Sequence, residues 1–300
     1  MSAPWLMAGA SLLFALMGAC VKWASEHYNT GELVLYRSLT GLLIMAAVMR
    51  WRGIRLRSAV PGLHLWRSLA GSVSLCMWFY AMGGLPLATA MTLNAMSSIW
   101  IALFLMVGML LLKPASSSWP EARLVAAVLT GFGGVALLLQ PTLAQDQLWH
   151  GLIGLGSGLI AALAYLQVAA LGRLGEPGER VVLYFSAIGM TLGAVLALAS
   201  GGFNAHTVEG LGWLLAIGLL ATIAQWMLTL AYGSGSTLGM AALQYLGIAF
   251  SFVLGLLLFG DPLTPTSVLG MVLIVGAGIV ANLLRPRSRP QPEPARSAPH

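Results

Sequence analysis

Charge is what this chain has least of. Asp, Glu, Lys and Arg make up 8% of its 300 residues, where an average soluble domain carries roughly a quarter. Hydrophobic residues reach 58% and mean hydropathy is +0.86. So little polar surface cannot coat a water-soluble body, which excludes a soluble protein with buried core helices. Cysteine is scarce too: Cys20 and Cys76 both sit in apolar runs and read as small buried residues, with no disulfide framework. The sequence has no H-E-x-x-H, no C-x-x-C and no clustered His/Asp ligand set, so neither a metal nor another cofactor is expected. It lacks G-x-x-x-x-G-K-[ST], which argues against ATP-driven pumping. Gly154-Leu-Gly-Ser-Gly158 lies inside an apolar run with no preceding strand, and reads as close helix packing, not a dinucleotide loop. No enzymatic activity is expected.

What is present is ten apolar stretches separated by short polar breaks. A bilayer core needs about 20 apolar residues per helix. The runs predict spans at Ala3–Ser25, Gly31–Arg50, Leu65–Gly83, Leu87–Leu112 and Trp119–Gln140, then Leu148–Leu171, Arg180–Ser200, Leu211–Tyr232, Thr237–Phe259 and Thr266–Leu284. Pro86, Pro114, Pro120, Pro262 and Pro265 punctuate the breaks. No proline lies well inside a span, so unbroken helices are expected. The first run is long enough to span and has no basic region ahead of it, so it reads as a span and not as a cleaved leader.

Basic residues orient the bundle. With the N-terminus inside, the inner segments hold Arg50, Arg52, Arg55, Arg57, Arg67, Lys113, Arg123, Arg173, Arg180 and the tail arginines. The outer loops hold no Lys or Arg and carry Glu26, Asp146, Glu209 and Asp261 instead. The expectation is a multi-pass protein of a bacterial inner membrane with both termini cytoplasmic. The net charge of +6 is then an orientation signal and not a nucleic-acid footprint. Trp51, beside the arginines of the 50–57 loop, reads as an interface anchor. The Pro- and Arg-rich tail has no apolar face and should be disordered, with only electrostatic contact to anionic headgroups.

The two halves resemble each other. Glu32-Leu-Val aligns with Glu179-Arg-Val, Ala81-Met-Gly83 with Ala231-Tyr-Gly233, and Leu93-Asn94 with Leu243-Gln244. Each half has five spans, and an odd number turns the second copy upside down. The predicted architecture is therefore an all-α integral membrane protein of ten transmembrane helices in two inverted five-helix repeats. Residues 1–145 form the first repeat, 146–285 the second and 286–300 the tail. In such architectures the substrate sits near the midplane, where the repeats meet.

Several segments carry a family resemblance: Gly18-Ala-Cys-Val-Lys22, Leu35-Tyr-Arg37, Ala81-Met-Gly-Gly-Leu-Pro-Leu-Ala-Thr-Ala-Met91 and Ala231-Tyr-Gly-Ser-Gly-Ser-Thr-Leu-Gly-Met240. With the layout of ten spans, they make residues 5–284 similar to the drug/metabolite transporter superfamily, in its EamA-type branch. The chain departs from the family at Ser97-Ser98 and Gly247-Ile248, where a mid-span Pro is frequent. It departs again at Leu111-Leu-Lys113 and Phe259-Gly-Asp261, where Leu-x-Glu is frequent. Within the family it looks most like exporters of amino acids and related metabolites, aromatic amino acids included. The resemblance implies alternating access, a small-molecule substrate and a lipid bilayer as surroundings, with no oligomer required.

Polar residues deep in a span normally face protein or water. Helical spacing puts Asn94, Ser97 and Ser98 on one face of the fourth span, and Gln244 with Ser251 on the matching face of the ninth. The eighth offers Gln225 and Trp226, the sixth Tyr165 and Gln167. The third offers Ser68 and Ser72, flanked by Trp78 and Tyr80. The expected substrate-binding set is Asn94, Gln244, Trp78, Tyr80, Ser97, Tyr165, Gln225 and Trp226, enclosing an uncharged cavity. For each Ser or Thr, interhelical bonding remains the competing reading. Lys22, Glu32 and Arg37 are expected at the outer rim, as a gate or as structural anchors. No Asp, Glu or His reaches the midplane, which points to a facilitator or exchanger and away from a proton-driven pump. The alternatives are an exporter of drugs or cations with the same fold, a membrane enzyme and a non-transporting scaffold.

Overall fold

The computed structural model describes residues 2–101, 104, 122–139, 147–260 and 265–283. Within them the chain is helical, with no strand. The helices are α1 (Ala3–Ala24), α2 (Thr30–Trp51), α3 (Pro61–Gly84), α4 (Leu87–Ala95), α5 (Ala122–Leu139) and α6 (Leu148–Arg173), followed by α7 (Gly178–Ala199), α8 (Val208–Ser234), α9 (Thr237–Leu243), α10 (Tyr245–Phe259) and α11 (Pro265–Leu283). By length and composition, 6 helical stretches are apolar enough to cross a bilayer: α1, α2, α6, α7, α8 and Gly239–Phe259. The tail, Lys113, Asp146 and Asp261 lie outside the described residues.

Local chemistry sets several boundaries. Proline begins α3 at a position that needs no N–H. Asn29 caps α2 by accepting from the Glu32 N–H at 3.0 Å, and the Glu32 carboxylate accepts from the Asn29 N–H at 2.9 Å. This reciprocal pair satisfies two of the donors that every helix start leaves open. Thr207 caps α8 by accepting from Gly210 N–H at 3.0 Å. The helix α3 starts four residues earlier than the predicted span, which carries Arg67 well inside it.

The fourth and ninth spans each carry one irregular turn that the sequence does not announce. After α4 the chain turns at Met96 and is helical again over 97–101; after α9 it turns at Gln244 and resumes as α10. No proline is involved. At both turns the backbone tightens: Ile99 N–H donates to Met96 O and Gly247 N–H to Gln244 O, each at 2.9 Å. The Ser98 hydroxyl donates to the Ala241 carbonyl, joining one turn to the other. The Ser98 hydroxyl thereby serves a backbone carbonyl next to the second turn.

The longest helix contact is α2 against α7. A Cβ on Gly193 would lie 2.5 Å from the Leu35 nitrogen, so the two backbones touch there without intervening side chains. The helix α1 runs along α8, α3 along α6, and α5 along α11. Exposed Leu, Val and Ile side chains cover the outside, and Trp5, Trp51 and Trp66 stand exposed near helix ends. That is the surface of a body solvated by lipid, with aromatic anchors at its margin.

Candidate functional site

A cavity opens where α1, α2, α3, α4, α6, α7, α8 and α10 converge. It offers about 80 Å³ to the centres of water-sized molecules, enough for several waters. One wall is a stripe of α3: Arg67, Gly71, Ser74 and Trp78 repeat at four- and three-residue steps and so share a face. Phe14, Met91 and Phe185 add apolar surface. Asn94, Tyr165, Gln225 and Gln244 add polar groups.

The amides lie beside the two turns. Asn94 Nδ2 donates to Ser157 Oγ at 3.1 Å, and Ser157 Oγ donates to Gly154 O at 2.6 Å. Gln244 Oε1 accepts from Ser97 Oγ at 3.3 Å, while its Nε2 donates to the Tyr232 hydroxyl oxygen at 3.1 Å. Tyr232 stacks on Tyr165 with centroids 5.2 Å apart. Gly158 lets α6 approach the first turn; a Cβ there would sit 2.5 Å from Leu93 O.

Two guanidinium groups enter the same space. Arg37 is 4% exposed and Arg67 2%. Their central carbons lie 5.0 and 4.2 Å from the ring centroid of Phe185, so both cations rest on one aromatic side chain. Arg37 Nη2 donates to Gln225 Oε1 at 3.4 Å. Arg37 Nε and Arg67 Nε and Nη1 have no hydrogen-bond partner among the described residues. No Asp or Glu is among the residues lining the cavity.

Polar clusters close the bundle at both ends. At the arginine-rich end, Glu176 accepts from Ser58 Oγ at 2.6 Å and from Arg180 Nη1 at 2.6 Å, and lies 3.1 Å from His64 Nε2. Arg180 also donates to Arg55 O at 2.7 and 3.0 Å, and Arg52 pairs with Glu179 at 2.6 Å. Partial burial pushes the Glu176 carboxyl up, but the donors from Ser58, Arg180 and His64 outweigh it and hold it below the usual range. At the opposite end, the Glu32 carboxylate accepts from Asn204 N at 2.8 Å and Asn204 Nδ2 at 2.7 Å, and Asn29 Nδ2 donates to Gly202 O at 2.9 Å.

No protein-family model matches the chain. Over 271 residues it is 32% identical to the pseudopaline exporter CntI of Pseudomonas aeruginosa (strain UCBPP-PA14), covering 90% of this chain and 92% of that one. This chain belongs to the family of that exporter. Over 283 residues it is 28% identical to an uncharacterized transporter of Helicobacter pylori (strain J99 / ATCC 700824), covering 91% and 92%. It is 25% identical over 289 residues to a riboflavin transporter of Rhizobium johnstonii, covering 94% and 91%. A crystal structure with 21% identity superposes at a TM-score of 0.75 over 95% of this chain and 99% of that one, which shows the shared fold. The CntI family is thus one of bacterial membrane transporters of small molecules, and this chain is a helical membrane protein of that kind.

Against this family background, the structure gathers Asn94, Gln244, Trp78, Tyr165 and Gln225 around one cavity. Ser97 is not on its wall; it is buried and holds Gln244 from behind. Tyr80 is 36% exposed and stacks on His150 at 4.7 Å, because two residues past Trp78 is the other side of α3. Trp226, one residue past Gln225, turns away from the cavity and lies 5.5 Å from the Arg52 guanidinium. Lys22 Nζ donates to Leu85 O at 2.9 Å, a strap across the end of α3. Glu32 anchors the α2 start. Arg37 is not at a rim but in the cavity, and Arg67 joins it from α3. The expectation of an uncharged pocket is therefore overturned. The signal for Arg67 was its spacing to Gly71, Ser74 and Trp78; the predicted polar face of Ser68 and Ser72 was one residue out of register, and Ser72 lies toward Ser38 and Gly189.

Proposed function

We propose that this chain exports a small amphipathic metabolite related to amino acids by alternating access, with the cavity as its binding site. The observation that carries the reading is the cavity itself. It has room for several waters, lies among eight helices, and borders the two turns at Met96 and Gln244. Turns at matching places in both halves are where transporters of known architecture hold substrate. The CntI relative is named an exporter, which favours export as the direction.

We further propose ten spans in two inverted repeats, of the EamA type within the drug/metabolite transporters. The exchange of packing partners supports this. The helix α1 pairs with α8 as α6 pairs with α3, α2 pairs with its own counterpart α7, and α1 meets α10 as α6 meets α4. Such reciprocity is what a pseudo-twofold axis produces. The charge asymmetry supports placing the arginine-rich end in the cytoplasm of a bacterium, in the inner membrane. The polar clusters around Glu176 and Glu32 are then the inner and outer closures. A hydrophobic-cation exporter is disfavoured, because two buried arginines repel such a guest. No role as an enzyme is proposed.

The test is counterflow in proteoliposomes loaded in turn with each of the twenty amino acids and with aromatic mono- and dicarboxylic acids. The expected outcome is saturable exchange for at least one bulky apolar or aromatic member. Gln244→Ala, which removes one anchored amide, should cut that exchange about tenfold. Flux no greater than that of empty vesicles for every solute would remove this reading.

A further inference from the structure

Arg37 and Arg67 are the two least comfortable groups among the described residues. Both are more than nine-tenths buried, and three of their nitrogens donate to nothing among the described residues. Burying one cation without a counter-charge costs several kcal/mol even after relaxation. Placing a second on the same ring adds repulsion. The Phe185 face and the Gln225 carbonyl offset only part of this. The acids do not help: Glu32, Glu176 and Glu179 are each engaged in the end clusters. A structural arginine inside a membrane protein is ordinarily paired with a carboxylate or with backbone carbonyls. This pair instead faces a cavity with unused, forked donors.

Resting on the transporter reading, and naming the substrate of that same cavity, we infer that the guest is an amphipathic organic dianion, with one carboxylate for each guanidinium. A guanidinium presents parallel N–H groups that match a carboxylate in a bidentate manner. Two such forks over one ring select a molecule with two carboxylates on the same end. The remaining wall of Phe14, Trp78 and Met91 takes an apolar or aromatic body. Asn94 and Gln244, beside the helix turns, are available to neutral polar groups of the guest. The chemistry favours such a guest over neutral zwitterions, whose ammonium the arginine pair disfavours.

Four probes with one aromatic body and different charge test the inference: phenylsuccinate, 3-phenylpropionate, phenylalanine and phenylalanine amide. Binding to the purified full chain is followed by quenching of tryptophan fluorescence, and flux is followed in proteoliposomes. Phenylsuccinate should bind at least about tenfold more tightly than 3-phenylpropionate, and more tightly still than phenylalanine; the amide should not compete. Arg67→Gln and Arg37→Gln should each erase the preference for the second carboxylate, and Arg67→Lys should keep part of it. The comparison among probes on the parent protein stands even where a variant fails to fold. Equal affinity for phenylsuccinate and phenylalanine, or no binding of phenylsuccinate at millimolar concentration, overturns the dianion. Carrier-dependent flux of phenylalanine without that preference would leave the transporter reading intact while the dianion fails.

Discussion

Gly158 shows how one residue sets the cavity's depth. Its Cα lies so close to α4 that an added Cβ would stand 2.5 Å from Leu93 O and 3.2 Å from Asn94 O. Those are backbone atoms at the first helix turn, and they have no rotamer by which to retreat. Gly158→Ala must therefore push α6 from α4 and disturb the Asn94–Ser157 bond. The expected cost is about 1–3 kcal/mol of stability, read as a lower melting temperature in detergent. Gly212, where a Cβ meets nothing, is the control: Gly212→Ala should leave the melting temperature unchanged or slightly raised. The sequence announced close packing at 154–158 but not the partner it serves. Arg67 was less legible. Its i+4, i+7 and i+11 neighbours lie on one face, yet an arginine near a predicted span boundary reads equally well as a loop charge. Only the earlier start of α3, at Pro61, places it inside.

Among the elements, the loops at the arginine-rich end act as one clasp. Ser58 from the α2–α3 loop and His64 from the start of α3 converge on Glu176 between α6 and α7, and Arg180 from α7 completes the ring. Since the Glu176 carboxyl titrates lower when folded than when exposed, its stabilising contribution is complete at neutral pH. It is lost as the pH falls through that depressed value. Burial holds the His64 imidazole below its usual value, so a first loss of thermal stability should begin as the pH falls through about 6.5, and the Glu176 loss should follow below about pH 5. Glu176→Gln should lower stability at pH 7 by about 2 kcal/mol and flatten the acid limb. A melting series in detergent across that range checks both, and an unchanged acid limb in Glu176→Gln would assign it to another carboxylate. The sequence offered the charges of this clasp but read them as an orientation signal alone. Pairings between residues more than 100 positions apart leave no local pattern. The helix turns at Met96 and Gln244 were illegible for a related reason: proline is the strong signal of an irregular helix, and none stands at either turn.

For the whole molecule, the decisive feature is that the cavity is charged yet cannot trade protons. Its ionisable cations are two arginines, which stay protonated in proteins, and neither Asp, Glu nor His is among its lining residues. The carboxylate on α2, five residues before Arg37, is committed: Glu32 accepts from the Asn29 and Asn204 N–H groups and the Asn204 amide. A proton-coupled carrier needs a group that changes protonation with the side it faces. This argues for movement down the substrate's own gradient or in exchange for a second solute. Apolar run lengths had already pointed to a carrier of this general build, and the lack of a midplane acid to a facilitator. What they could not supply was the sign of the charge inside. The expected outcome is that counterflow in proteoliposomes continues at the same rate when the pH gradient is collapsed with nigericin. Clamping the membrane potential is the separate control, because a fixed pair of cations makes the charge of the moving complex depend on its guest. Strict dependence on an imposed proton gradient would shift the coupling to Glu32, the one fully buried carboxylate among the described residues, and Glu32→Gln would then have to abolish it.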